Sequence, residues 1–178
     1  TGKAQYQKTD KIDSALICRE LKDGRLAGIC VPSLEREQLR CLFRRRLYLM
    51  KDYRQVKGRL KSRLLYLGID IPEEYDNPNW SHGFRDWIRD LKFEHETLSI
   101  AMSSEMRQFD FIDASVREVS NALRKYCRKH YKQEYYLLRS VPGIGGIVAC
   151  GILSELGDLK RFKNFKQLAA YVGLMPSM

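Results

Sequence analysis

Tyr136-Leu137-Leu138-Arg139-Ser140-Val141-Pro142-Gly143-Ile144-Gly145-Gly146-Ile147-Val148-Ala149 is the stretch from which the organisation of this 178-residue chain is read. An apolar helix end runs into Pro-Gly-Ile-Gly, and a second helix rich in small residues follows at once. Pro142 fixes its own φ and pushes Val141 out of the α region, so the first helix stops there. Gly143 and Gly145 permit positive φ and carry no side chain to keep another molecule away. The expected product is a helix-hairpin-helix. Its backbone N–H groups at Gly143, Ile144, Gly145 and Gly146 lie at the positive end of the second helix, where a phosphate is held without any base being read. A tight αα turn whose glycines serve packing alone is the plain alternative.

The charge of the chain favours the binding use. Thirty-two Lys and Arg against 22 Asp and Glu give a net charge of +10 and a pI near 9.4, which calls for an acidic partner, nucleic acid being the commonest. With 44% hydrophobic residues there is material for one or two domains with real cores. No apolar run is long enough to span a membrane, and Thr1-Gly2-Lys3-Ala4 does not read as a signal peptide, so a cytoplasmic protein is expected. Cys18, Cys30, Cys41, Cys127 and Cys150 are odd in number and widely spaced, as reduced thiols would be, and no zinc spacing occurs.

Working back to the start of the chain, Thr9 or Asp10 caps a helix with Ile12, Ala15, Leu16 and Cys18 or Leu21 on one face, ending near Gly24. Asp10 and Asp13 project from one side of its first turn, a spacing that suits a divalent metal and equally suits acids placed at the positive end of a helix. Leu26-Ala27-Gly28-Ile29-Cys30-Val31-Pro32 reads as a short strand, the tail of an α/β unit.

Ser33 opens a long helix to about Leu67, with Gly68 as its stop and Leu39, Leu42, Leu49, Tyr53, Val56, Leu60 and Leu67 near a heptad seam interrupted at Arg46. Arg36, Arg40, Arg44, Arg45, Arg46, Lys51, Arg54, Lys57, Arg59, Lys61 and Arg63 face only Glu35, Glu37 and Asp52, an excess of eight positive charges. We read this as a nucleic-acid track, the alternative being a merely solvated face. Ser81 caps a short helix carrying Phe84, Trp87, Ile88 and Leu91, and a second long helix is expected from about Glu94 to Arg139, roughly 70 Å if straight. It is too long for a globular core and must pair, either antiparallel with the first long helix or with a second copy of the chain. The fold class expected is therefore mainly α: long antiparallel coiled-coil helices between the tail of an α/β domain (1–32), a basic linker (33–139) and a hairpin-bearing region (140–178).

Together, Lys8-Thr9-Asp10-Lys11-Ile12-Asp13-Ser14-Ala15, Gly24-Arg25-Leu26, Val31-Pro32, Val141-Pro142-Gly143-Ile144-Gly145, and Phe162 with Gln167-Leu168-Ala169-Ala170-Tyr171-Val172-Gly173-Leu174-Met175-Pro176 resemble the DEDD-type insertion-sequence transposases, the IS-one-ten relatives of the Piv DNA invertases. The resemblance spans essentially the whole chain, as an internal fragment of such a protein. It implies a RuvC-like nuclease domain with four acidic ligands for Mg²⁺, a coiled-coil middle and a transposase domain carrying a serine nucleophile. Asp10 and Asp13 match the last two of the four acids, as catalytic and metal-ligating residues. The first two would lie upstream of Thr1, and no Ser-Gly pair follows Pro176, so no nucleophile is assigned and this chain by itself is expected to be inactive. The partners implied are DNA and, in some family members, a structured guide RNA, with a homodimer or higher oligomer formed through the coiled coil. A non-catalytic helix-hairpin-helix scaffold that binds DNA or RNA, or serves dimerisation, is the competing reading.

Overall fold

A computed structural model describes residues 10–26, 28–75 and 80–174, and every regular element among them is a helix. The chain divides after Pro32 into two compact units.

The first unit contains α1, Asp10–Lys22, with Asp10 and Asp13 in its first turn, Arg19 and Lys22 in its last, and Gly24 at φ +66° just beyond. Acids at the start and bases at the end both oppose the helix dipole favourably. Its apolar side, Ile12, Leu16, Ile17 and Leu21, is exposed. The strand expected at Leu26–Pro32 does not form. Leu26 and residues 28–32 have no regular structure, and Ile29 and Val31 are exposed. Its β-branched residues carry strand propensity, but propensity yields a strand only where a neighbour takes up the backbone hydrogen bonds.

The second unit is built on α2, Leu34–Tyr66, and α4, Glu96–His130. Ser33 caps α2 by accepting the Arg36 N–H, and Gly68, at φ +67°, follows its end. Contacts from Glu35 with Tyr126, through Arg46 with Ser120 and Arg59 with Gln108, to Arg63 with Glu105 show that α2 and α4 run antiparallel. The short α3, His82–Asp90, is capped by Ser81 Oγ, which accepts the Phe84 N–H at 3.2 Å.

Two cores lie along this pair. In one, Leu60 and Leu64 of α2, Phe84 and Ile88 of α3, and Met102 and Phe109 of α4 pack with Trp80. Each large side chain buried here contributes about 1.5–3 kcal/mol. In the other, Leu39, Leu123 and Cys127 meet Tyr135, Cys150 and Leu153 from the helices that follow α4. Between the two cores the seam is polar: Arg46 donates Nε–H to Ser120 Oγ at 2.8 Å.

The second long helix is shorter than expected. It stops at Tyr131, with φ −130° and ψ 44°, and α5, Lys132–Ser140, starts in a new direction. The Tyr131 N–H still reaches Cys127 O at 2.9 Å, and Tyr131 O accepts the Tyr135 N–H at 2.8 Å, so the break leaves both backbone groups satisfied. What drives it is packing: Tyr135, only 2% exposed, turns into the second core. At 35 residues α4 is roughly 52 Å long. After α5 come α6, Gly146–Leu156, a short 3₁₀ turn at Leu159–Arg161, and α7, Phe165–Tyr171.

Candidate nucleic-acid interface

The turn between α5 and α6 follows from Pro142. Val141 ends α5 at φ −78° and ψ 123°, the extended conformation that the residue before a proline prefers. The Ile144 N–H donates to Val141 O at 3.1 Å and closes the turn, and Gly143 carries the positive φ, +86°. Gly145 sits at φ −77° and ψ 169°, which any residue can adopt. Its carbonyl accepts the Ala149 N–H at 3.0 Å, making it the N-cap of α6, and no side chain caps that helix end.

The four turn residues divide into two kinds. A Cβ on Gly143 or on Gly145 would meet nothing within 4 Å, so neither glycine is there to let helices approach, and both face open space. A Cβ on Gly146 would lie 2.6 Å from Tyr135 Oη, and Ile144 packs against the second core. Gly143 and Gly145 form the exposed lip of the turn, while Ile144 and Gly146 anchor it.

Arg124 of α4 stands beside this helix end, its Cδ 3.5 Å from the position of a Cβ on Gly146. Its guanidinium is oriented by Ser120 O at 3.1 Å and Asn121 Oδ1 at 3.2 Å. Arg128, one turn on, donates Nε–H to Arg124 O at 3.1 Å. The Cys150 thiol of α6 is lowered first by its neighbour Cys127 and, more weakly, by the charges of Arg124 and Arg128, which places both cations near the N-terminal half of that helix. From α5, Arg139 lies over the Tyr135 ring. Arg124 is not reached by reading the sequence alone. The signal was present in the i, i+4 spacing of Arg124 and Arg128, but only the break at Tyr131 brings α6 against them.

The basic residues of α2 separate into groups. Arg40 donates to Ser154 O at 3.4 Å and Glu155 O at 3.1 Å, and Arg44 grips Glu155 with two bonds of 2.9 and 3.0 Å. They cap the negative end of α6, and the Glu155 carboxylate raises the Arg44 pKa. Arg36 lies against Gly157 just past that end, and Arg46 is drawn into the seam, where burial and the nearby Arg124 lower its pKa. Arg59 bonds Gln108 at 2.9 Å and Arg63 bonds Glu105 at 2.6 Å. Lys57 lies 5.3 Å from the ring centres of both Tyr53 and Trp80, and Lys61 is half-buried. Arg45, Lys51 and Arg54 are exposed, with no polar partner among the described residues.

Asp10 and Asp13 lie three residues apart in the first turn of α1, and among the described residues no third His, Cys, Asp or Glu groups with them. Two carboxylates on one turn suit a hydrated Mg²⁺ as part of a larger ligand set. Among the described residues no helix is long and apolar enough to cross a membrane.

Residues 135–178 match the sequence model of the transposase IS116/IS110/IS902 family. The match opens at Tyr135, the residue that seats α5, and takes in the turn and α6. Over 171 residues the chain is 25% identical to the putative transposase y4qE of Sinorhizobium fredii, covering 95% of this chain and 40% of that protein. Over 39 residues it is 36% identical to the transposase for insertion sequence element IS1111A of Coxiella burnetii, covering 22% of this chain and 11% of that protein. The chain thus spans well under half the length of these curated relatives. No solved structure matches it. Both curated relatives bear transposase names, as does the matching family model.

Proposed function

We propose that this chain is the helical, nucleic-acid-binding part of an insertion-sequence transposase, and that the α5–α6 turn is a helix-hairpin-helix holding one phosphodiester backbone of DNA. The observation that carries this is the open lip at Gly143 and Gly145, beside Arg124 and Arg128, within a segment that matches a transposase family. N–H groups at a helix start and two guanidiniums bind phosphate without selecting sequence. Arg45, Lys51 and Arg54 on α2 supply further unpartnered positive charge.

In the whole protein, Asp10 and Asp13 would hold Mg²⁺ together with carboxylates from other segments, and the metal would stabilise charge on a scissile phosphate during strand cleavage and rejoining. The resemblance to DEDD-type enzymes supports this, as does the placing of both acids on one helical turn. By the same reading the chain alone leaves supercoiled DNA intact in Mg²⁺, and nicking that disappears in Asp10→Ala would count against it.

Fluorescence anisotropy of a labelled duplex over a salt series tests the binding. Tight binding at low salt with a steep salt dependence, weakened by Gly143→Val, supports the reading. Binding that Gly143→Val leaves unchanged would remove the turn from the interface. A stronger affinity for structured RNA than for duplex DNA would make a guide RNA the primary partner.

A further inference from the structure

A cleft of about 470 Å³ lies between α3, the segment after it and α4, and belongs neither to the α5–α6 turn nor to the basic face of α2. Its volume is within the ~300–1,000 Å³ range of small-ligand sites. Ile88, Met102 and Met106, all nearly fully buried, give it an apolar floor, and Phe93 closes one side. Methionine thioethers are polarizable and adapt to a flat ring placed against them.

One edge of α4 supplies the polar side. Ser99, Ser103 and Arg107 recur every four residues and line the cleft in a row. Lys92 faces them from the segment after α3, and neither Lys92 nor Arg107 has a polar partner among the described residues. The acid in the lining, Asp110, is neutralised: Arg89 donates to both its oxygens at 2.8 and 2.9 Å, and is itself held by Asp86 at 2.7 Å. The cleft therefore joins an apolar slot to two free cations and two hydroxyls, with no uncompensated negative charge in its lining.

We propose that this cleft receives a single unpaired nucleotide of a bound nucleic-acid strand. The base lies against Met102, Met106 and Phe93, and the phosphate meets Lys92 and Arg107. The charge complementarity selects a phosphate, and the apolar floor selects a flat ring over a bare anion. A fully paired duplex keeps its bases stacked and cannot fill the slot, so the site reads an extrahelical or single-stranded position. It acts independently of the α5–α6 turn.

The test uses the chain with its methionine methyls ¹³C-labelled, with adenosine monophosphate, inorganic phosphate, a short duplex with one bulged adenosine and the same duplex fully paired as probes. Adenosine monophosphate is expected to shift the Met102 and Met106 methyl signals where phosphate does not. The bulged duplex is expected to bind about tenfold tighter than the paired one. Ser103→Trp, which fills the slot, and the Lys92→Ala/Arg107→Ala pair should each abolish both effects, while Gly143→Val should leave the adenosine monophosphate response intact. Silent methyls, equal shifts with phosphate alone, equal affinity for the two duplexes, or a bulge preference surviving Ser103→Trp would each overturn the assignment. Because the mononucleotide response does not depend on the turn, failure of duplex binding through Gly143 is distinguished from failure of this site.

Discussion

Gly151 of α6 faces the ring of Phe43 of α2 so closely that a Cβ on Gly151 would lie 2.5 Å from Phe43 Cζ and 2.9 Å from Cε2. This contact sets the approach of α6 to α2 and, with it, the position of the turn that α6 follows. A larger residue forces the ring out of a packed site. Gly151→Val is expected to lower stability by about 2 kcal/mol, as overpacking does. Gly151→Ala should cost less, because alanine regains about 1 kcal/mol of helix propensity. Urea unfolding of the two variants checks the order, and a Gly151→Val protein as stable as the parent would show that Phe43 yields freely.

Tyr126 donates its hydroxyl to Glu35 Oε1 at 2.6 Å, tying the C-terminal part of α4 to the first turn of α2. That hydrogen bond to a carboxylate, the first cause, and burial push the Tyr126 pKa up to about 12 from 10.0. A raised pKa means that the folded state favours the protonated phenol. The stabilisation is fully present below pH 10.0 and is lost as pH rises from there through about 12. Thermal unfolding over this window should show a decline in stability that Tyr126→Phe and Glu35→Gln both reduce. An identical decline in Tyr126→Phe would assign it to other groups.

The sequence made the pairing of α2 with α4 legible because Leu39, Leu49, Val56 and Leu60 repeat at helical spacing, and all four are buried. It made the α5–α6 turn legible because Pro142 and Gly143 act locally, through φ. Arg46, an interruption in a list of seam positions, is explained only by Ser120, 74 residues later. The basic face looks freer in sequence than in the fold for the same reason: Arg40, Arg44 and Arg63 lack partners until Glu155 and Glu105 arrive from distant segments. The break at Tyr131 has no glycine or proline to announce it. It exists because Tyr135 gains a buried site among Cys127, Ala149 and Cys150, a tertiary reward that no local pattern encodes.

Cys127 and Cys150 are fully buried, whereas Cys18, Cys30 and Cys41 are exposed. The two buried thiols lie in one core at the α4–α6 contact, and the neighbouring Cys150 thiol together with burial pushes the Cys127 thiol up. A thiol shut out of solvent is not reached by a reagent, whatever its protonation. Titration with an aromatic disulfide reagent should count three rapid thiols in the native chain and five in denaturant. Five rapid thiols under native conditions would mean that α6 separates readily from α4.

The turn and the α2 arginines should behave differently in nucleic-acid binding. Arg124→Ala and Arg128→Ala each remove a cation beside the exposed lip, so each should weaken duplex binding and reduce the log–log salt slope by about 1. Arg40→Ala and Arg44→Ala remove contacts to Glu155 that are partly open to solvent. They should lower stability only slightly and leave the salt slope unchanged. A salt slope that falls with Arg40 or Arg44 would return those residues to the interface.

Asp113 of α4 ties that helix to Arg85 of α3. Its Oδ2 accepts from Arg85 Nη1 at 3.0 Å, and their side chains are only 16% and 12% exposed. Arg85 also donates Nε–H to Trp80 O at 3.1 Å and lies over the Phe109 ring at 4.9 Å, so it cannot swing into solvent without opening the first core. Arg117 reaches the same carboxylate oxygen at 3.0 Å but is 60% exposed. Removing the acid leaves a buried guanidinium without its counter-charge, so Asp113→Ala should cost about 3 kcal/mol or more. Arg117→Ala should cost under about 1 kcal/mol, since its charge is solvated in either case. The double change Arg85→Met/Asp113→Leu removes both charges and fills the space with apolar atoms, so it should be less damaging than Asp113→Ala alone. Chemical unfolding of the three variants separates the effects. If Asp113→Ala proved no worse than Arg117→Ala, the Arg85 guanidinium would have to find water or another acceptor, and the junction would be looser than its packing indicates.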